Sequence, residues 1–178
     1  LLRFTPRSVI DSRARHRTML PEEEYVNGHI LTSQSCKKLA DLGVVVNMGA
    51  HGQLQGLGAH WETWMLAQGG ISNHQALRSA TLNPARSLGL DAHIGSLEVG
   101  KLADLLVLDK NPLKPIRNSE SIRYTMVNGR LYDAETLHEL GNHAKERGKF
   151  AWELTRYADT FDWHEASHTH QGCSCGQN

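Results

Sequence analysis

Residues 39–52 read Leu-Ala-Asp-Leu-Gly-Val-Val-Val-Asn-Met-Gly-Ala-His-Gly, and the order of residue types in this stretch decides the fold class. Upstream of Gly43, apolar Cys36, Leu39, Ala40 and Leu42 recur at helical spacing, with Ser33 as the expected N-cap and Gly43 in the stop position. Val44–Met48 follows at once. Its β-branched, nearly continuous apolar run predicts a strand covered on both faces, as in a parallel sheet. Helix, glycine and covered strand make one step of an α/β repeat.

Beyond that strand, residues 49–60 are glycine-rich and polar. Trp61, Trp64 and Met65 then recur at i, i+3 and i+4, predicting a helix that restarts near His60 and stops at Gly69-Gly70. Ser72 and Gln75 form a capping-box pair for a further helix. Asn83, Pro84 and Gly89 predict a short one, as N-cap, first helical residue and terminator. The character changes near Asp91. Gly95 and Gly100 mark turns, Asp104–Leu108 reads as a strand, and Asn128-Gly129 between Tyr124–Val127 and Arg130–Tyr132 is a strong hairpin signal. A small antiparallel β module therefore follows the α/β segment. From Ala134 a helix is expected, with Leu137, Leu140, Phe150, Trp152 and Leu154 available to dock, before a polar tail over His164–Asn178.

Residues 1–32 are weakly patterned, running from Leu1 through basic Arg13, Arg15 and Arg17 to acidic Glu22–Glu24. With no initiator Met and no basic-then-apolar leader, the chain reads as a portion of a longer polypeptide. Its 178 residues carry 19 basic and 19 acidic side chains, a net charge of +0. That balance excludes a broad electrostatic grip on nucleic acid or anionic lipid. No apolar run approaches the ~20 residues a membrane helix needs. Three cysteines do not make a disulfide framework.

The stretch TLNPARSLGL at 81–90, followed by IGSLEVGKLADLLVLD at 94–109 and the VNGR hairpin at 127–130, resembles the C-terminal region of the amidohydrolase superfamily. The likeness covers roughly residues 36–133 and is strongest to the imidazolonepropionase- and prolidase-like branch, in particular members with a propeller domain upstream. It implies an α/β fold: the C-terminal part of a (β/α)8 TIM-type barrel plus part of a small antiparallel β-sandwich. Residues 1–91 would be the barrel end, 92–133 the sandwich share, and 134–178 a helical segment with a His/Cys tail. Val44–Met48 would then be the last barrel strand and Leu1–Phe4 the end of the one before. The propeller-bearing members point to an exported or periplasmic location rather than a cytoplasmic one.

In such a barrel, reactive groups come from the loops just after each strand, here Gly49-Ala50-His51-Gly52. The family places an Asp third in this motif, where it binds metal and takes a proton from the attacking water; this chain has His51. A neutral imidazole can ligate Zn²⁺ or act as a base near pH 7. His51 is thus the candidate catalytic residue and metal ligand, the alternative being a hydrogen-bonded loop histidine. His60 and Gln53 are candidate substrate contacts, flanked by glycines that let the backbone fold closely; alternatively His60 is simply the start of a helix. Arg13, Arg15 and Arg17 form either a solvated basic loop or a clamp for a substrate carboxylate or phosphate. In the tail, His168, His170, Cys173 and Cys175 offer four donors suited to Zn²⁺, Cu⁺ or Ni²⁺, or else a tail that picks up metal adventitiously. Cys36 and the four tryptophans read as packing residues.

The function expected is that of a metal-dependent hydrolase of carbon–nitrogen bonds other than ordinary peptide bonds, acting on a cyclic amide or dipeptide-like substrate. Its cofactor would be a divalent metal, with zinc preferred. Its partners would be a small-molecule substrate, the remainder of its own polypeptide and further copies in an oligomer, with neither nucleic acid nor membrane. These 178 residues alone would be inactive. The alternative is a non-catalytic pseudo-enzyme or assembly module that keeps the barrel end as a scaffold, with metal held by the tail.

Overall fold

The computed structural model describes residues 4–6, 9, 23, 26–51 and 56–154. Contacts divide the chain into two compact units, His16–Arg147 and Leu1–Arg15 with Gly148–Asn178. In the larger unit a π-helical turn, Val26–Ile30, leads into helix α1, Leu31–Asp41. Ser33 is inside this helix rather than its N-cap, buried with its hydroxyl donating to the His29 carbonyl at 2.9 Å. The stop is as expected. The Val44 N–H donates to Leu39 O and the Gly43 N–H to Ala40 O, both at 3.0 Å, the paired bonds of a Schellman motif.

Val44–Met48 departs from its reading as a covered strand. Residues 44–50 are extended but pair with no strand among the described residues, and Val44 and Val45 are 50% and 56% exposed. Apolar β-branched residues favour extended backbone, but a strand also needs neighbours to pair with, and its covered faces need layers against them. Here helices hold one side of the run and its remaining surface is open.

Three helices follow: α2 (Leu57–Gln68), α3 (Asn73–Ser79) and α4 (Leu82–Ser87). Helix α3 begins with the expected capping box, Ser72 and Gln75 satisfying each other's backbone N–H groups. Helix α4 starts one residue before Asn83, with Thr81 as its N-cap; Asn83 instead lends its side chain to the extended run. Trp64 and Leu66 of α2 are buried while Trp61 faces outward, so only part of the tryptophan set packs inside. The core is small: Leu66, Ile71 and Ala76, ringed by partly buried Cys36, Ala40, Val46, Ala67 and Ile116. Leu42, Leu88, Leu97 and Val99 are strongly exposed. No described helix is long and apolar enough to cross a membrane.

Strands β1 (Leu105–Leu108), β2 (Ile122–Val127), β3 (Arg130–Asp133) and β4 (Glu139–Leu140) form an antiparallel sheet in sequence order. Val127 pairs Arg130 around Asn128-Gly129, whose φ values of 49° and 77° are those of the expected tight hairpin turn. The turn is tied down by Asn128 N–H donating to the Asp104 carboxylate at 2.6 Å and Gly129 N–H to Ala103 O at 3.1 Å. Residues 134–154 are not the helix their apolar spacing suggests. Asp133 accepts from the Thr136 N–H and hydroxyl, both at 2.8 Å, turning the chain so that β4 joins β3. Arg130 Nε reaches Glu139 at 2.6 Å beside that pairing. Only short 3-10 turns follow, at Gly141–His143 and, in the smaller unit, Ala151–Glu153. In that smaller unit Phe150 meets Phe4 edge-on and stacks on Trp152, centroids 4.6 Å apart.

Candidate functional site

The extended run ends in a turn bearing His51, and four hydrogen bonds from three helices hold the approach to it. Asn83 Nδ2 donates to Val46 O at 3.1 Å and Asn47 Nδ2 to Ser87 Oγ at 2.8 Å. Met48 N–H donates to Ser79 O at 2.7 Å and Gly49 N–H to the Glu62 carboxylate at 3.0 Å. The backbone groups a neighbouring strand would have satisfied therefore go to α2, α3 and the α4 side chains. Immediately beyond this clamp, His51 is exposed and takes φ 53°, a left-handed conformation uncommon for a side-chain-bearing residue and enriched in histidine. Such an outlier persists only when its surroundings impose it, and it is a recurrent feature of functional turns.

His60, at the other end of the glycine-rich segment, is carried on α2 and turned toward the connection between β1 and β2. Its Nδ1 lies 3.0 Å from Ser119 Oγ, in the 3-10 turn Ile116–Glu120, and Trp64 Nε1 donates to the same oxygen at 2.9 Å. An indole N–H only donates, so Ser119 accepts there and has its own proton available for His60. Burial pushes the His60 imidazole below its ordinary range, against the opposing pull of the Glu120 carboxylate. The Arg117 guanidinium lies 4.4 Å from the Trp64 ring centroid. His60 thereby ties helix α2 to the sheet-side turn. Gln53, the tail donors His168, His170, Cys173 and Cys175, and Arg13, Arg15 and Arg17 lie outside the described residues.

Helix α1, the clamped run with its histidine turn, helices α2 to α4 and most of the antiparallel sheet fall within one stretch of sequence. The Amidohydrolase family model matches residues 23–132, more than half of the chain. The chain belongs to the amidohydrolase family. It is 44% identical over 62 residues to the imidazolonepropionase of Picrophilus torridus, covering 33% of this chain and 16% of that protein. It is 41% identical over 64 residues to the 5-methylthioadenosine/S-adenosylhomocysteine deaminase of Teredinibacter turnerae, covering 34% of this chain and 14% of that protein. A solved Xaa-Pro dipeptidase with methionine bound in its active site superposes with a TM-score of 0.52 at 30% identity, over 57% of this chain and 25% of that one. The chain thus spans less than a fifth of the length of these curated relatives.

Amidohydrolases generally use divalent metals, and the donors in this amidohydrolase chain can be tested against that need. Among the described residues no three His, Cys, Asp or Glu side chains are grouped to hold an ion. Close to the turn, Glu62 Oε2 accepts the Gly49 N–H. These residues do not by themselves make a metal centre, and His51 contributes at most one ligand to one. No sequence pattern points to the clamp residues Glu62, Asn83 and Ser87. A side chain's capacity to hold a segment 13 to 40 positions away leaves no local signal.

Proposed function

We propose that the polypeptide to which this chain belongs hydrolyses carbon–nitrogen bonds other than ordinary peptide bonds, with a divalent metal, in a cyclic amide or dipeptide-like small molecule. The observation that carries the reading is the family match from the helices into the sheet, residues 23–132. Relatives named as an imidazolonepropionase, a 5-methylthioadenosine/S-adenosylhomocysteine deaminase and an Xaa-Pro dipeptidase support the reaction class and leave the substrate open within it. On this reading residues 1–91 supply the end of a TIM-type barrel, 92–133 part of a β-sandwich and 134–178 a terminal extension. Exposed Val44 and Val45 on the unpaired run are the surface that the remainder of the polypeptide, or a further copy, would cover.

The chain's own contribution is the His51 turn. Clamping Val46 through Gly49 delivers an imidazole at the end of the run, where it can accept a proton from an attacking water or return one to the leaving nitrogen. The left-handed backbone fixes the direction in which the ring leaves the chain. The test uses the full-length polypeptide with Zn²⁺ and a panel of cyclic amides and Xaa-Pro dipeptides. A loss of roughly 10²–10⁴ in kcat for His51→Ala, the usual worth of a general base, is the expected result. An active enzyme in which His51→Ala retains full rate removes His51 from the chemistry. A full-length protein that holds no metal and turns over none of the panel supports the scaffold reading instead.

A further inference from the structure

Helix α2 begins without the usual fittings of a helix start. Its N-cap, Gly56, has no side chain to accept a backbone N–H, and no acidic residue sits in its first turn to balance the positive end of the helix dipole. Two side-chain bonds tie this end to other segments instead. Glu62 Oε2 accepts the Gly49 N–H at 3.0 Å, and His60 Nδ1 lies 3.0 Å from Ser119 Oγ. Ser119 is buried and its oxygen already accepts the Trp64 Nε1–H, so the serine hydrogen goes to Nδ1 and the neutral ring carries its own on Nε2.

This arrangement holds only while His60 is neutral. A protonated ring has a hydrogen on Nδ1 too, facing the serine hydrogen. Ser119 can turn to accept it only by giving up Nδ1 as its own acceptor, and a buried O–H that loses its acceptor is costly. The charge would also fall on the fourth residue of α2, close to the end where the helix dipole disfavours it. Burial works the same way, holding the imidazole below its ordinary range, while the Glu120 carboxylate pulls against it. Arg117, on the same turn as Glu120, rests over the Trp64 ring. Of the other elements packed on α2, α1 brings Lys38 and the Lys37–Asp41 pair, the π-helical turn brings His29, bonded to Gln68 at the far end of α2, and α3 brings His74 and Arg78. Among the described residues, Glu120 is the one whose charge acts on His60. We propose that the junction of His60, Ser119 and Trp64 is an acid-sensitive latch: a neutral His60 holds the start of α2 to the 3-10 turn, and a protonated one frees it, loosening the Glu62 hold on Gly49.

The latch stands apart from any role of His51 in catalysis and is read without turnover. The experiment measures, by ¹H–¹⁵N NMR of the 178-residue chain, how strongly the Trp64 indole N–H and the Gly49 amide are protected from exchange with water. Each rate is taken relative to the unstructured rate at the same pH, between about pH 7.5 and about 5. Both protections should fall together below 6.5, by at most tenfold per pH unit, the slope of one proton. Freeing one helix start exposes little surface, so a low concentration of urea should barely change either rate. Thr125, paired on both sides in the sheet, exchanges through wider unfolding and should respond to urea. His60→Gln keeps a hydrogen-bonding side chain without the titration, so its Trp64 and Gly49 protections should lose their dependence on pH. The measurements on the parent chain need no variant, so they stand even where that substitution disturbs folding. Protection at Trp64 that does not fall with pH, Gly49 failing to follow it, a fall that persists in His60→Gln, or the same urea response at Trp64 and Thr125 each overturns the proposal.

Discussion

Replacing Gly95 by Ala should cost about 2–5 kcal/mol of folding free energy, the sum of two separable terms. Gly95 has φ 91°, and a Cβ in left-handed backbone costs roughly 1–2 kcal/mol. The same Cβ would lie 2.7 Å from Ala85 Cβ and 3.1 Å from both Leu82 Cα and Thr81 O. These are backbone and first side-chain atoms at α4, which no rotamer change can move aside, so an overpacking term of about 1–3 kcal/mol adds. Two other glycines separate the contributions. Gly100 has φ 94° with nothing within 4 Å of where a methyl group would stand, so Gly100→Ala carries the backbone term alone. Gly69 has ordinary φ, −73°, but its Cβ would run into the backbone carbonyl of Ser33, so Gly69→Ala carries the contact alone by driving α1 and α2 apart. Urea unfolding followed by far-ultraviolet circular dichroism gives all three differences; a loss of ~3 kcal/mol corresponds to roughly 6–12 °C in Tm. Gly95→Ala no more damaging than Gly100→Ala would refute the contact between the 95 turn and α4.

Glu62→Ala should speed hydrogen exchange of the Gly49 amide while Glu62→Gln, which keeps an acceptor, leaves it near the parent rate; equal protection in all three would show that the clamp at Gly49 is not formed. Because burial lowers the His60 pKa below 6.5, the unfolded chain takes up its proton first as pH falls. Stability should therefore be intact above about 6.5 and decline toward the lower folded value, with His60→Asn flattening that part of a pH series of urea midpoints. For Glu139 the hydrogen bonds from Arg130 hold the carboxyl below its ordinary 4.5, outweighing the opposing effect of burial. Its contribution is present above that value and lost as pH falls through the folded one; Arg130→Met should weaken this acid dependence and lower stability at neutral pH, both measurable by circular dichroism.

Local chemistry sufficed wherever a few adjacent residues satisfy one another. Ser72 with Gln75 closes a helix start, Gly43 lets the Schellman bonds form, and Asn128-Gly129 reverses a strand, whatever surrounds them. The signature from Ile94 to Asp109 placed the chain in its family for a related reason, being a run of turn and strand residues read in order. Where bonding depends on a distant partner, residue type was ambiguous. Val44–Met48 has the composition of a buried strand, yet its backbone bonds went to helices and to Asn83 and Glu62. Leu137 and Leu140 have helical spacing, but Asp133 capped a turn and Arg130 drew Glu139 alongside β3.

The candidate site divides along the same line. A histidine after an extended run and before a glycine-rich segment was legible from residue order, because chain continuity alone puts it at the end of that run. The left-handed turn at His51, the aim of His60 at a serine 59 positions away and the buried Arg78 Nε left without an acceptor were decided by packing. Sequence order determines which groups are neighbours along the backbone. Which donors find acceptors, and which are left without one, is settled only when separate elements come within about 3 Å of each other.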